Sequence, residues 1–218
     1  MRACVLATGN VHKLAELSAM LVDAGVALDV IAPRSFGEPP EIVEDGDTFT
    51  ANAQKKARGL AAWLRERGVA GETLVLADDS GICIDVLDGA PGVTSARWAG
   101  EPCDDLANNR KLASELEARG LDRSPAHYAC VLALVRVDGL PIDGLVDGDA
   151  DVVCFEGQWD VEVRTQARGD GGFGYDPHAW IEAGARTVAE LSAGDKAASS
   201  HRGAALRALV RWWTSRAA

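Results

Sequence analysis

Thr73-Leu74-Val75-Leu76-Ala77-Asp78-Asp79-Ser80-Gly81 sets an apolar run against two adjacent carboxylates, a hydroxyl and a glycine. A strand that delivers Asp-Asp to its end fixes acidic groups on a rigid edge where a divalent cation can be held. Asp, Ser and Gly are equally at home in a solvated turn. The stretch is therefore read as a strand over 73–77 that breaks at Asp78-Asp79-Ser80-Gly81, with Ile82 to Leu87 as a further strand beyond the break. The rest of the chain must decide whether the break is a site or only a turn.

Upstream, Ala3 to Thr8 is a short apolar run closed by Thr8-Gly9-Asn10. From Val11 to Ala24 apolar residues then recur at helical spacing (Leu14, Leu17, Leu21). Strand, glycine turn and helix aim free N–H groups at whatever lies over the turn. Lys13 falls in the first helical turn, where the macrodipole disfavours a cation unless an anion is bound there. Ala27 to Ala32 reads as a second strand. The proline-bearing loop from Pro33 to Asp47 is acidic (Glu38, Glu41, Glu44, Asp45, Asp47), as a solvated face often is. Asp47 or Thr48 can cap a helix from Phe49 to about Arg67. On it Asn52, Lys56 and Gly59 lie near one face.

Downstream, Gly89-Ala90-Pro91-Gly92 is a tight loop leading to Ser95-Ala96-Arg97-Trp98. A helix follows from Asp104 or Asp105 to about Arg119, with Leu106, Leu112 and Leu116 as its apolar face. Tyr128 to Val137 and Leu145 to Phe155 read as an antiparallel ribbon that Trp159 to Thr165 could extend. The glycine-rich Arg168-Gly169-Asp170-Gly171-Gly172-Phe173-Gly174-Tyr175-Asp176-Pro177 offers backbone for close ligand approach and aromatics to cover a base. Thr187 to Leu191 reads as a short helix. Lys196, His201 and Arg202 cluster at the start of a last helix running to Arg216, with Leu206, Leu209, Val210 and Trp213 inward.

The bulk properties narrow the class. A chain of 218 residues can bury one substantial core. No run approaches the roughly 20 apolar residues of a membrane helix, and the start reads as a strand without signal-peptide anatomy, so a cytoplasmic location is expected. Five well-separated cysteines with no CxxC pair argue for buried, reduced thiols. A net charge of −11 disfavours a nucleic-acid polymer as partner, yet a few converging cations can still hold a polyphosphate. Lysine is scarce, only Lys13, Lys55, Lys56, Lys111 and Lys196, so its positions carry information. No repeat or linker divides the chain, and a single α/β domain over 1–218 is expected.

Taken together, these segments resemble the inosine/xanthosine triphosphate pyrophosphatase family. The matching strings are Ala7-Thr8-Gly9-Asn10 with Lys13 and Glu16, Glu44-Asp45-Gly46 with Thr48-Phe49, Asn52-Ala53 with Lys56-Ala57, and Ala77-Asp78-Asp79-Ser80-Gly81. They continue with Gly89 to Val93 through Ser95-Ala96-Arg97, Gly172-Phe173-Gly174-Tyr175-Asp176-Pro177, and Ser200-His201-Arg202-Gly203. All seven come in the family's order and cover nearly the whole chain.

The resemblance implies an ITPase-like α/β fold: a long mixed sheet with two lobes flanking a nucleotide-binding cleft, as a homodimer. It implies hydrolysis of ITP, dITP or XTP to the monophosphate and pyrophosphate with Mg²⁺. Thr8, Gly9, Asn10, Lys13 and Lys56 would then meet the phosphates. Glu44 and Asp79 would hold the metal, with Glu41 and Asp45 as competitors for the first position. Asp79 would accept the proton of the attacking water with Asp78 beside it, and Ser80 would touch substrate. Phe173, Gly174, Tyr175, Asp176, Lys196, His201 and Arg202 would recognise the purine. A donor such as Arg202 at the 6-oxo edge would select against adenine. Val161 departs from the glycine common after Trp-Asp in relatives, which is expected to alter a strand turn. Two competing readings stand beside this one: a pyrophosphatase of broader specificity, and a nucleotide-binding module without catalysis.

Overall fold

The computed structural model describes residues 2–26, 28–142 and 151–215. The strands are β1 (Arg2–Ala7), β2 (Leu28–Ile31), β3 (Leu74–Ile84), β4 (Arg123–Arg136), β5 (Val152–Arg164), β6 (Ala179–Ile181) and β7 (Arg186–Thr187). The helices are α1 (Val11–Asp23), α2 (Phe49–Glu66), α3 (Asp105–Glu117), α4 (Ala193–Ser199) and α5 (His201–Thr214), with short 3-10 turns between. The strands form one mixed sheet in the order β2-β1-β3-β4-β5-β6-β7. β1 runs parallel to β2 and β3, whereas β6 is antiparallel to β5 and β7.

Two compact units make up the chain, each assembled from separate segments. The first takes residues up to Asp79, Cys130–Gly157 and the chain from Ala205. In it, alternate β1 and β3 residues (Val5, Ala7, Val75, Ala77) meet Ala53, Ala57, Leu60, Ala61 and Leu64 of α2 and Val131, Ala133 and Val135 of β4 in one buried cluster. The helix contributes the i, i+4, i+7, i+8 spacing of one apolar stripe, and the strands contribute every second residue. The second unit takes Ser80–Ala129 and Gln158–Ala204. Its core joins Ile82 and Ile84 of β3, Leu112 and Leu116 of α3, Tyr128 of β4, Val161 and Val163 of β5, and Tyr175, Ala179 and Val188.

The expected break in the chain at Asp78-Asp79-Ser80-Gly81 is not there. β3 runs without interruption from Leu74 to Ile84. Gly81 is required for a different reason than a turn: a Cβ at that position would press on Ser95 Oγ and come within 2.5 Å of the Gly92 carbonyl oxygen. Ser95 Oγ itself accepts the Ile82 N–H at 2.9 Å and donates to Gly92 O at 2.6 Å, pinning the neighbouring segment to the strand. The glycine marks a close backbone approach inside a strand. Because the strand is continuous, Asp78 and Asp79 project to opposite faces of the sheet.

Other boundaries also moved. β5 begins at Val152 and carries Trp159 to Arg164 within itself, while the expected strand start at Leu145 lies outside the described residues. Val161 sits inside β5, 8% exposed in the second unit's core, so no turn is altered there. Leu106, expected on the apolar face of α3, is 68% exposed, because six residues of helical rotation carry it off the stripe of Leu112 and Leu116. In place of the expected short helix from Thr187 to Leu191, Thr187 ends β7 and Val188–Glu190 form a 3-10 turn. Lys196 instead belongs to α4, which was not anticipated and is capped by Ser192. The cysteines are all free; Cys4 and Cys130 are buried as expected, Cys103 is exposed and the other two are intermediate.

Gly81→Ala is expected to destabilise the fold by about 1–3 kcal/mol, the usual cost of overpacking a dense site. Its denaturant midpoint should fall with an unchanged slope; a midpoint equal to wild type would contradict the close approach.

Candidate active site

In the first unit the register of β1 on β3 places the site. Ala7, the last residue of β1, pairs with Ala77, so Asp78 and Asp79 continue past the strand beside the turn that follows β1. Beyond the carboxyl ends of parallel strands is where open α/β sheets leave room for ligands. The turn is tightly built. Thr8 Oγ1 accepts the Asn10 N–H at 3.1 Å, and Asn10 Oδ1 caps α1 by accepting the N–H groups of His12 and Lys13 at 2.9 and 3.2 Å. Nothing lies within 4 Å of where a Gly9 Cβ would stand.

Lys13 reaches Asp78 with Nζ to Oδ1 at 2.7 Å, the Asp78 side chain being fully buried. Cys130 Sγ, from β4, lies 3.2 Å from the second Asp78 oxygen. The other face of β3 carries Asp79, whose Oδ1 lies 3.1 Å from Lys56 Nζ. The same ammonium meets Glu44 Oε2 at 3.0 Å.

Glu44 gets there because the acidic loop lies along α2. Asn52 Oδ1 accepts the Gly46 N–H at 2.8 Å, Lys56 takes Glu44, and Ile42 packs within 3.0 Å of where a Gly59 Cβ would be. The helix face of Asn52, Lys56 and Gly59 is thus the seat of residues 42–46. Gly46 admits no side chain, since a Cβ would meet Asn52 Oδ1 at 2.8 Å. The competitors for Glu44 go elsewhere: Asp45 pairs with Lys55 and Glu41 is exposed.

Lys13 and Lys56 thus stand among Asp78, Asp79 and Glu44, and burial, more than charge, decides the protonation of Asp79. Burial lifts the Asp79 carboxyl from its ordinary 3.8 to about 6, against the pull of Lys56 and Lys13 and with a small push from Glu44. For Lys56, burial works against the charge, but Asp79 and Glu44 outweigh it and its pKa rises. Asp79 Oδ2 is buried with no hydrogen-bond partner. A carboxylate titrating near neutrality with one unsatisfied oxygen is suited to take a cation or a proton.

The second unit holds the remaining residues. Arg202, 1% exposed, donates from Nη2 to Ser80 Oγ at 3.0 Å, and its guanidinium lies 5.9 Å from the centre of the Phe173 ring. Lys196 Nζ lies 4.4 Å from the same ring centre and 2.7 Å from Asp176 Oδ2. That oxygen also accepts the Phe173 N–H at 2.9 Å. Tyr128 donates its hydroxyl to Asp176 Oδ1 at 3.4 Å; burial, then the Asp176 charge, hold that phenol well above its ordinary 10, so it stays protonated. His201 stacks on the Tyr128 ring at 4.9 Å and 10°. Tyr175 is turned inward, its hydroxyl donating to Ser95 O at 2.8 Å. Phe173 and Gly174 are the partly exposed members of the loop; Tyr175 and Asp176 are buried.

The sequence-expected residues thus form two sets: Lys13, Glu44, Lys56, Asp78 and Asp79 in the first unit, and Ser80, Phe173, Asp176, Lys196 and Arg202 in the second, with His201 joined through Tyr128. The structure adds Cys130, Tyr128, Asn52 and two residues of α3, Asp105 and Asn109, which hold Gly174. Asn52 was visible as part of a helix face with Lys56. The others are long-range partners with no local signal. Among the described residues no three metal-binding side chains come together.

Comparison with known proteins is consistent along the chain. Residues 4–212 match the Ham1 family. The chain is 46% identical over 213 residues to a dITP/XTP pyrophosphatase of Ralstonia nicotianae, and 43% identical over 210 residues to one of Streptomyces coelicolor, covering 96% of each chain in both cases. Among solved structures, a Ham1 protein from Coxiella burnetii superposes with a TM-score of 0.81 at 37% identity over 99% of this chain and all of that one. A dITP/XTP pyrophosphatase from Mycobacterium abscessus gives a TM-score of 0.66 at 36% identity, over 95% and 97% of the two chains.

The raised Asp79 pKa has a thermodynamic signature. Between its unfolded and folded pKa values the folded chain binds the extra proton, so this group's contribution to stability falls as pH rises through about 4 to 6. In metal-free buffer Asp79→Asn should be no more stable than wild type below about pH 4 and more stable by about 2 kcal/mol above about pH 7. Urea unfolding at both pH values measures this; a stability difference independent of pH would contradict the buried charge.

Proposed function

Because the chain belongs to the Ham1 family, we propose that it hydrolyses non-standard purine nucleoside triphosphates, ITP, dITP and XTP, to the monophosphate and pyrophosphate. The observation that carries this reading is Lys56 shared between Glu44 and Asp79, with a second, unpartnered Asp79 oxygen beside it. Two carboxylates and no third protein ligand suit Mg²⁺, which keeps several waters and completes its shell with substrate phosphates. Glu44 and Asp79 would hold it, and when bound it would neutralise the triphosphate and polarise the phosphorus.

The chain's own residues supply the rest. The turn of Thr8, Gly9 and Asn10, open over Gly9, would receive the phosphates with the Gly9 N–H, and the ammoniums of Lys13 and Lys56 bind them, while the Thr8 and Asn10 N–H groups hold the turn's shape. Asp78 is buried against Lys13 and acts as its anchor. Water attacks the α phosphorus; the bond from that phosphorus to the bridging oxygen breaks, and pyrophosphate leaves with the electron pair. Asp79 takes the proton of the water, a task suited to an acid with pKa near the working pH and worth about 10²–10⁴-fold. Phe173 gives the base an aromatic face, while Lys196 and Arg202 present donors that suit a 6-oxo purine better than adenine. His201 is held by Tyr128, and Ser80 orients Arg202. Asp176 and Tyr175 hold the loop. The whole chain, 1–218, acts as one cytoplasmic enzyme, where the free nucleotide pool is, and the assembly proposed is a homodimer.

Pyrophosphate release from ITP, XTP, dITP, ATP, GTP and dTTP, with and without Mg²⁺, tests the reading. Turnover of the first three with Mg²⁺, and at least about tenfold less of the others, is expected. Equal rates on GTP and ITP would remove the claim for non-standard purines, and no turnover of any substrate would leave a binding module. Asp79→Asn should abolish release while nucleotide binding stays measurable by calorimetry. Lys56→Met should lower kcat/KM by about 10²-fold.

A further inference from the structure

The loop that carries Phe173 is held from outside by α3. Asp105 and Asn109 are one helical turn apart on the same face. Asp105 Oδ2 accepts the Gly174 N–H at 2.7 Å, and Asn109 Nδ2 donates to the Gly174 carbonyl at 3.0 Å. The two side chains thus grip both polar groups of one residue. Gly174 needs this, since its φ of +62 and that of Gly172 at +73 lie in the left-handed region, and glycine left free visits both hands of the backbone map. The Asn109 half of the grip is shielded, at 8% exposed and with its Oδ1 buried without a hydrogen-bond partner, whereas Asp105 makes its bond from the exposed side of the helix.

On the other side of Phe173, Asp176 takes the Phe173 N–H and the Lys196 ammonium on one oxygen. A Gly172 Cβ would fall on that same oxygen. The grip of α3 on Gly174 and the grip of Asp176 on Phe173 therefore fix the peptides either side of the ring that Lys196 and Arg202 overlie. A third α3 residue, Asn108, holds the segment before the helix, accepting from Ala99 N at 2.7 Å and donating to Ala96 O at 2.9 Å. The donor pattern that separates a 6-oxo purine from adenine works only if ring and cations are held to within about 0.5 Å.

We propose that Asp105 and Asn109 are positioning residues that set purine selectivity by fixing Gly174, and through it the Phe173 ring against Lys196 and Arg202. The inference rests on the reading that this group meets the base. Loosening the grip lets the ring drift from its cations, so binding specific to a 6-oxo purine weakens, whereas a substrate whose base is already poorly recognised has little to lose. The phosphate and proton-transfer groups lie on other elements, so kcat for ITP is preserved.

Steady-state kinetics on ITP and ATP for wild type, Asp105→Ala, Asp105→Asn, Asn109→Ala and Asn109→Asp test this. Asp105→Ala and Asn109→Ala should raise KM for ITP about tenfold with kcat within about twofold, lowering the ITP-to-ATP ratio of kcat/KM by about tenfold. Asp105→Asn should recover most of the ratio, because a carboxamide oxygen still accepts the Gly174 N–H. Asn109→Asp should be worse than Asn109→Ala, since a carboxylate would face the Gly174 carbonyl. Amide exchange of Gly174 by NMR, faster in Asp105→Ala than in wild type or Asp105→Asn, reads the grip independently of activity. A variant series that lowers ITP and ATP turnover equally, or leaves the ratio unchanged, would overturn the proposal. A wild type with no preference for ITP over ATP would instead overturn the reading of the base site itself, and is seen before any variant is made.

Discussion

Everything in the first unit's site depends on a carboxylate, Asp79, held out of water. Asp79 is buried beside Asp78 and Lys56, and burial denies its second oxygen the water it would otherwise bond. Taking a carboxylate out of water is costly unless it is paired and hydrogen-bonded. Asp78 meets that condition with Lys13 and Cys130; Asp79 meets it with one oxygen only. The deficit at Asp79 is what makes it reactive, and the completeness at Asp78 is what makes it a support. Strain of this kind is kept at functional sites by structure that over-determines it. Here the over-determination comes from β3, whose pairing to β1 leaves the backbone no freedom, and from α2, which presents Lys56 and receives the acidic loop.

The second unit solves a different problem, that of a glycine loop which must be open to a ligand and yet not wander. Its solution is to spend polar side chains, most of them buried, on backbone atoms. Asp176, Asp105, Asn109 and Tyr175 each bond main chain, and Lys196 and Arg202 lie over the Phe173 ring. Such buried polar contacts specify one arrangement more than they add stability. Most residues of the glycine-rich loop string are thus scaffold. Recognition is delegated to few atoms.

How much of this was legible beforehand varies with the range of the interaction. Strands β1 and β2 and helices α1, α2 and α3 followed from apolar period and caps; Asn10 and Thr48 cap their helices with their own side chains. The lysines stood out by scarcity, and Lys13, Lys56 and Lys196 all proved to be paired to buried carboxylates. The reading failed where a local rule had a non-local competitor. Asp-Asp-Ser-Gly looks like a turn because those residues usually make one, but the partner that explains Gly81, the Gly92 backbone with Ser95, lies more than ten residues away. The acidic loop and the polar face of α2 each looked solvated on their own. They are each other's partners, which no window along the chain can show. Cys130, Tyr128, Asp105 and Asn109 were missed for the same reason.

The continuity of β3 carries a consequence for how such a chain can change. Neighbouring aspartates in a strand are not interchangeable copies, because the pleat assigns each to a different side of the sheet. Deleting or inserting one residue between Leu74 and Asp78 would hand the anchoring position to the reactive face and the reverse, with both charges still present in the sequence. The spacing between Ala7 and Lys13 is bound to the same count through the pairing of Ala7 with Ala77. In this part of the molecule length is a stricter inheritance than composition: substitutions can be absorbed one at a time, whereas a shift of register has no partial form.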